Sequence, residues 1–187
     1  MSFSNEIKKS NTDEWYTPRE CVELILPFIN RGGYRKILCP FDTAESQFVK
    51  VLTERGFDVT FSHIKTGTDF FDINNLQSYD AIVSNPPFSK REAILERLFD
   101  SKVPFAMILD FNGLFDSKRR WEMFRRNKFE LVIPLGRMHF FNEKCKGTSP
   151  NFQSVYVCQG MAEKQIEFAE IPTKQLEFQT LHNGYHG

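Results

Sequence analysis

The chain has 187 residues, of which 41% are hydrophobic, and this is enough for one well-packed domain but not for two large ones. Lys plus Arg and Asp plus Glu both number 24, so the net charge of +0 excludes nucleic-acid binding through overall charge and leaves only a local basic patch. No stretch approaches the roughly 20 apolar residues of a membrane-spanning helix, and the polar N-terminus lacks the apolar core of a secretion signal, so we expect a cytoplasmic protein.

Short strand-like runs alternate with amphipathic helical segments through most of the chain. The helical run PRECVELILPFI, opened by Pro18, precedes the strand RKILCP, the helix ESQFVKVLTERG and the strand FDVTFSHI. The strands YDAIVS, PFAMILD and FELVIPL follow, separated by the helices KREAILERLFDS and SKRRWEMFRRN. This alternation predicts an α/β fold, with a mostly parallel central sheet, helices on both faces and a ligand crevice at the carboxyl ends of the strands.

The alternation of strands and helices stops near the C-terminus. SVYVCQG and KQIEFAEI are strand-like with no helix between them, which predicts antiparallel strands at one edge of the sheet. Polar residues dominate 1–12 and 180–187, and we expect mobile ends there. The prediction is a single domain over 1–187, without a separate target-recognition domain.

The cysteines and histidines give no metal signature. The 4 cysteines, among them Cys145, are scattered without a C-x-x-C pair. Cys39 and Cys158 lie in apolar strand-like runs, where a small, reduced, buried thiol is expected. His139, between Met138 and Phe140, is interpreted as a surface or packing residue. We therefore expect no metal ion.

The most informative stretch is DAIVSNPPF, where Asn85, Pro86, Pro87 and Phe88 directly follow a buried strand. A purely structural turn more often uses Gly or Asp. An aromatic exocyclic amine such as N6 of adenine is a poor nucleophile, because its lone pair is delocalised into the ring. The Asn85 side-chain carbonyl and the Pro86 main-chain carbonyl can accept its two N–H groups, and Phe88 offers a face for stacking. The pattern therefore favours methyl transfer, in which the site holds the amine in line with the methyl group of a sulfonium donor.

NPPF resembles the (D/N/S)-P-P-(Y/F/W) signature of amino-methyltransferases that use S-adenosylmethionine, above all the DNA adenine-N6 methyltransferases. The resemblance implies a Rossmann-like methyltransferase fold, a catalytic loop at 85–88 and methyl transfer to the N6 amine of adenine in DNA. An adenine in duplex DNA must leave the stack to reach Phe88, unless the substrate is single-stranded. The order of the segments also resembles that of short phage-encoded proteins, which implies a location in a bacterial host cell if the chain is phage-encoded.

Other segments fit the same family in order. EWYTP at 14–18, CPFDTAESQF at 39–48 and TDFFD at 68–72 resemble its cofactor-contacting segments. The segment GRMHFFNEKCKGTSPNFQSVYVC resembles its target-base segment, which implies substrate-binding roles for Arg137 and Phe140. The cofactor-binding residues implied by the resemblance are Tyr16, Thr17, Pro18, Pro40, Phe41, Asp42, His63, Asp69 and Phe70.

Two features depart from the family pattern. Its first cofactor loop carries glycines that let the backbone approach the cofactor, whereas Ala44 and Ser46 stand in the corresponding part of this chain. The loop still contains Asp42 and Glu45, which could pair with the cofactor's amino group. The second strand ends with Ser62 and His63 where the family has an acidic residue, and a neutral His63 could accept a hydrogen bond from the ribose.

The run DSKRRWEMFRRNK interleaves basic and aromatic residues. It predicts a solvated amphipathic helix more readily than a dedicated DNA face, although with Arg137, Lys144 and Lys146 it could form a phosphate-binding patch. Target recognition must then come from short loops or from a protein partner.

Three alternative functions remain open from the sequence. The amine could belong to RNA adenine or to a protein glutamine. The glycine-free loop favours a catalytically inactive methyltransferase-fold protein that binds nucleic acid or a host defence protein. A nucleotide-sugar enzyme should carry a glycine-rich phosphate loop, and the chain has none.

Overall fold

The structure is a computed structural model that describes residues 16–140 and 153–172. The expected mobile ends and Cys145 lie outside these residues. The strands are β1 Lys36–Cys39, β2 Asp58–Phe61, β3 Ala81–Ser84, β4 Phe105–Asp110, β5 Glu130–Leu135, β6 Ser154–Gln159 and β7 Ile166–Glu170. The α-helices are α1 Arg19–Glu23, α2 Leu26–Arg31, α3 Gln47–Glu54, α4 Arg91–Ser101 and α5 Lys118–Arg126. Short 3₁₀ helices are η1 Ile64–Thr66, η2 Phe70–Asp72, η3 Leu76–Ser78 and η4 Phe88–Lys90.

The 7 strands form one sheet in the order β2-β1-β3-β4-β6-β5-β7. Strands β1 to β4 are parallel, β6 is antiparallel to both β4 and β5, and β7 is parallel to β5. The predicted fold class, α/β with a mostly parallel sheet and antiparallel pairing near the C-terminus, is confirmed.

The placement of the last two strands differs from the predicted edge pair. Strand β6 lies inside the sheet, and only β7 is at the edge, where it runs parallel to its neighbour. Burial explains the difference, because β6 is buried along nearly its whole length whereas β7 exposes alternate residues. A strand covered on both faces and paired on both sides belongs in the interior of a sheet.

Helices cover both faces of the sheet. One apolar core joins Val22, Ile29 and Phe48 of α1 to α3 with strand residues such as Ile37, and the other joins helices α4 and α5 with alternate strand residues. Because successive side chains of a strand point to opposite faces, these two cores lie on opposite sides of the sheet. The sheet is therefore the middle layer of three.

The sequence predicts one helix in the N-terminal segment, whereas the structure has two. Helix α1 ends at Glu23, and α2 begins at Leu26 with Pro27 in its first turn. Pro27 has no N–H to donate to the carbonyl of Glu23, and its ring would clash there in a continuous helix. Proline is tolerated in a first turn, so the chain begins a new helix at this point.

The described cysteines, Cys21, Cys39 and Cys158, are free and buried. Burial raises the pKa of the Cys21 thiol to about 12 and raises the pKa values of Cys39 and Cys158 well above 9.0. These thiols are therefore inert apolar side chains. Within 16–140 and 153–172, no helix is both long and apolar enough to cross a membrane.

Candidate active site

A cavity of about 550 Å³ opens at the carboxyl ends of β1, β2 and β3. From β1 the chain passes through α3 to β2 on one side, and then continues to β3 on the other side of β1. Such a reversal separates the loops that follow β1 and β3 and leaves a crevice between them. Its walls come from Tyr16 and Thr17, from 40–43 and 45–47 after β1, from 63–65 after β2, from 69–71, and from 85–88 with Lys90 after β3.

All four residues of the expected catalytic loop, Asn85 to Phe88, line this cavity. The Asn85 amide nitrogen Nδ2 donates to Thr17 Oγ1 at 3.2 Å, which joins two segments that are 68 residues apart in the sequence. The Asn85 carbonyl oxygen Oδ1 is buried and has no hydrogen-bond partner among the described residues. Thr17 thus fixes the side chain so that an acceptor, rather than a donor, remains for another group.

Asp42 is a buried acid that joins the loop after β1 to the end of β3. Its two carboxylate oxygens accept hydrogen bonds from the hydroxyls of Ser46 and Ser84. Burial raises the pKa of Asp42 to about 6, although both serine hydrogen bonds favour the charged form. Ser46 also caps α3, because its Oγ accepts from the Phe48 N–H at 3.1 Å. Ser84 directly precedes Asn85, so the Asp42 network holds the two loops together.

His63 and Asp69 also face the cavity, each at the start of a 3₁₀ helix. His63 Nδ1 accepts from the Lys65 N–H at 3.1 Å, so in the neutral ring the hydrogen is on Nε2 and this nitrogen is a donor. Asp69 Oδ1 accepts from the Phe71 N–H at 3.1 Å, and its Oδ2 lies 3.6 Å from Lys90 Nζ. The acceptor capacity of His63 that the sequence suggested is therefore used within its own turn.

Phe41 and Phe70 form an aromatic wall of the cavity. Their ring centroids are 5.1 Å apart, and the guanidinium of Arg97 lies 5.2 Å from the Phe70 centroid. Phe70 is 1% exposed and also belongs to the core, so packing fixes its position before any ligand binds.

The cavity contains most of the site residues expected from the sequence, but not all of them. Pro18 is not in its lining and begins α1 as its N-cap residue. Arg137 is exposed and Phe140 is 3% exposed in the core beside α1 to α3, and neither lines the cavity. Residues 141–152, the middle of that expected target-base segment, lie outside the described residues, and its last residues belong to β6.

Sequence reasoning missed the parts of the site that depend on distant contacts. Ser46, directly before a helical run, could have been identified as a helix cap, but its bond to Asp42 has no local signal. Nothing local marks Ser84 as the partner of a carboxylate, or Lys90 as that of Asp69. Lys65 also lines the cavity although no motif marks it, and Thr43 lines it from within the expected cofactor segment at 39–48 without having been singled out.

Helix α5 is amphipathic, as predicted, and most of its arginines are paired with α4. Arg119 pairs with Glu92 at 3.5 Å and with Glu96, Arg120 pairs with Glu92 at 3.3 Å, and Arg126 pairs with Glu96 at 3.7 Å. These ion pairs use much of the positive charge of the run. The helix is therefore not a uniform basic face.

Comparison with solved structures finds several that are similar to this chain. One, from a study of complex assembly and conformational transition of the type I R-M system, matches with a TM-score of 0.52 and 12% identity over 84% of this chain and 45% of that chain. A modification subunit of a putative type I restriction enzyme from Vibrio vulnificus YJ016 matches with a TM-score of 0.49 and 12% identity over 89% of this chain and 49% of that chain. The type I restriction-modification system methyltransferase subunit from Streptococcus thermophilus matches with a TM-score of 0.46 and 12% identity over 84% of this chain and 47% of that chain.

The chain thus spans about half the length of these solved structures. At 12% identity the first of them shows a shared fold and nothing finer. No family model and no curated protein matches the sequence.

Proposed function

We propose that this protein is a methyltransferase that uses S-adenosylmethionine to methylate the N6 amine of adenine in DNA. The observation that carries the proposal is Asn85, which lies at the carboxyl end of β3 in the cavity wall and keeps a buried, unpartnered Oδ1. A buried acceptor without a partner costs about 1–3 kcal/mol, and a bound ligand with an N–H group removes that cost. The NPPF signature and the methyltransferase-type fold support the same function.

The lining of the cavity fits S-adenosylmethionine. Its volume of about 550 Å³ is within the usual size of small-molecule sites. The carboxylates of Asp42, Glu45 and Asp69 suit a cationic ligand, and the rings of Phe41 and Phe70 suit its flat adenine. No glycine lies between 40 and 47, yet the loop leaves the cavity open. When bound, the cofactor supplies an electrophilic methyl group on a positively charged sulfur.

The residues of the catalytic loop would act on the amine that is methylated. Asn85 Oδ1 and the Pro86 carbonyl accept its two N–H groups, which localises the nitrogen lone pair for attack and stabilises the charge that develops on nitrogen. The rigid Pro86–Pro87 step holds its carbonyl at a fixed angle, and Phe88 stacks against the base. Thr17 keeps Asn85 in the accepting orientation. The rate gain comes from positioning and electrostatics, so no general base is required.

Binding of the cofactor is the first test. Titration calorimetry with S-adenosylmethionine and S-adenosylhomocysteine should show one saturable site per chain. Absence of binding with and without DNA would refute the proposal and favour a catalytically inactive protein that binds nucleic acid or another protein.

Methyl transfer is the second test. DNA, RNA and glutamine-containing peptides are offered in parallel, and N6-methyladenine is measured by mass spectrometry. Asn85→Ala should lower the rate about 100-fold to 1,000-fold, the usual effect of removing one preorganised hydrogen-bonding group. Asn85→Asp, which keeps an acceptor and is allowed by the signature, is the matched control. An unchanged rate in Asn85→Ala, or methylation of RNA or peptide alone, would contradict the assignment.

The partners are also part of the proposal. Adenine reaches the cavity either flipped from a duplex or in a single strand. A protein partner would supply target recognition, in keeping with the structure of similar fold that comes from a study of complex assembly of the type I R-M system.

A further inference from the structure

A second concave surface lies along helix α5, away from the cavity. We call it the aromatic groove, and its volume is about 400 Å³. The residues that line it come from the loop before α5, from the helix, from the turn after it and from the turn before β7. They are Phe115, Trp121, Phe124, Arg125, Asn127, Lys128, Phe129 and Gln165.

The groove combines a fixed aromatic base with open aromatic rings. The Phe124 ring is buried and lies 5.0 Å from the Phe115 centroid and 4.8 Å from the Phe129 centroid. Trp121 is 54% exposed and Phe115 is 37% exposed. The cluster already holds the Phe115 ring, so this ring offers a flat surface at little cost in ordering, and Trp121 adds a more exposed ring on the same helix as Phe124.

The charge of the groove is positive. Arg125 and Lys128 line it, and no Asp or Glu side chain is among its described lining residues. The Arg125 guanidinium lies 5.3 Å from the centroid of the Trp121 ring. No described carboxylate lies within ion-pair distance of Arg125 or Lys128, in contrast to the arginines of α5 that pair with α4. The cavity differs in kind, since three carboxylates line it.

Helix α4 connects the groove to the loop at residues 85–88. Ser117, the N-cap of α5, donates to Glu92 Oε2 at 2.9 Å, and Arg120 lies 3.3 Å from the same oxygen. Glu92 is in the first turn of α4, which follows the catalytic loop and η4 directly. Side-chain contacts between α5 and the first turn of α4 therefore link the groove to the segment that follows residues 85–88.

We propose that the aromatic groove binds single-stranded nucleic acid. Bases stack on Trp121 and Phe115, and phosphates pair with Arg125 and Lys128. Stacking platforms flanked by unpaired cations are what sequence-tolerant binding of single strands requires. The role of the aromatic groove as a contact for the substrate strand rests on the proposed function. Binding of a single strand in the groove is independent of methyl transfer.

The test measures binding without cofactor. The protein is titrated with a dT oligonucleotide of about 12 nucleotides and with an abasic oligomer of equal length and charge, and fluorescence anisotropy gives the affinities. We expect Trp121→Ala to weaken binding of the dT strand about 5-fold to 100-fold, because stacking on one aromatic ring contributes about that much. Trp121→Phe keeps a stacking surface and should retain most of the affinity. Because Trp121 is exposed, these variants should fold, and circular dichroism checks this.

Salt dependence tests the charged part of the groove. Each phosphate contact to a single strand contributes about 0.7 to the slope of log affinity against log salt, so Arg125→Ala and Lys128→Ala should each reduce the slope by about that amount. Lys118→Ala removes one exposed charge from the same helix outside the groove, and it should leave the slope unchanged. Equal affinity for the dT and abasic strands, an unaffected Trp121→Ala variant, or no binding at all would each overturn the inference. Methylation plays no part in this readout, so failure here is distinguishable from failure of the proposed function.

Discussion

Replacing Asp42 with Asn should stabilise the protein at neutral pH and weaken the binding of S-adenosylmethionine. Asp42 lies in the cavity wall, where its carboxylate accepts hydrogen bonds from Ser46 and Ser84. An Asn side chain has nearly the same shape, and it can accept from one serine through Oδ1 and donate to the other through Nδ2. The substitution therefore removes a buried charge while keeping the network.

The magnitude follows from the pKa of Asp42. Burial raises this pKa from 3.8 to about 6. One pKa unit corresponds to about 1.4 kcal/mol, so holding the ionised carboxylate in the folded protein costs about 3 kcal/mol. The folded state binds the proton more tightly than the unfolded state, so the free energy of unfolding falls as the pH rises from about 4 to about 6. At pH 7 this decrease in the free energy of unfolding is essentially complete, because Asp42 is then ionised in both states.

The assay is urea unfolding of the wild type and Asp42→Asn at several pH values between about 4 and 8, with the m-value as a check on two-state behaviour. The stability difference should grow with pH and reach about 1–3 kcal/mol in favour of the variant at pH 7. Asp100→Asn, which neutralises an exposed carboxylate, is the matched control for the loss of one charge. A difference between the wild type and Asp42→Asn that is independent of pH would refute the reasoning.

Three further predictions concern the fold. Ser46→Ala removes the cap of α3 and a hydrogen bond to Asp42, so urea unfolding should show a loss of about 1–2 kcal/mol, and an unchanged midpoint would contradict the cap. Phe99→Ala should cost about 3–5 kcal/mol, because the ring is fully buried against two other phenylalanines, whereas Phe168→Ala, at a position 80% exposed, should cost little in the same experiment. Iodoacetamide at pH 8 should leave the described cysteines unmodified in native protein and label them after unfolding, as mass spectrometry would show.

The elements of the fold were predictable where local pattern alone decides them. Strand β3 is a short apolar run that ends at Ser84, just before Pro86, which could not continue the ladder, and α4 shows Ile94 and Leu98 on one face. The break in the N-terminal helix was missed, although Pro27 marks its position. The position of β6 was not, because a run of buried residues indicates an interior strand without saying which neighbours it has.

The candidate site was likewise predictable only where local pattern decides the position of a residue. A loop that follows a parallel strand must lie at its carboxyl end, so the position of Asn85 followed from the alternation of strands and helices. The hydrogen bond between Asn85 and Thr17 and that between Ser84 and Asp42 join residues that are far apart in sequence. One sequence carries no signal for such pairs. The resemblance also grouped Arg137 and Phe140 with the site, whereas the structure places them outside the cavity lining.

Because β6 lies inside the sheet, the sheet cannot close between β4 and β5 until β6 has been synthesised. Strand β6 leaves the ribosome after β5, yet it lies between β4 and β5 and pairs with both. Until Ser154–Gln159 emerges, the nascent chain exposes β4, an almost entirely buried strand in the finished protein, as an unpaired apolar edge. Such edges promote aggregation, so a chain stalled before residue 154 should depend on chaperones much more than the complete chain does.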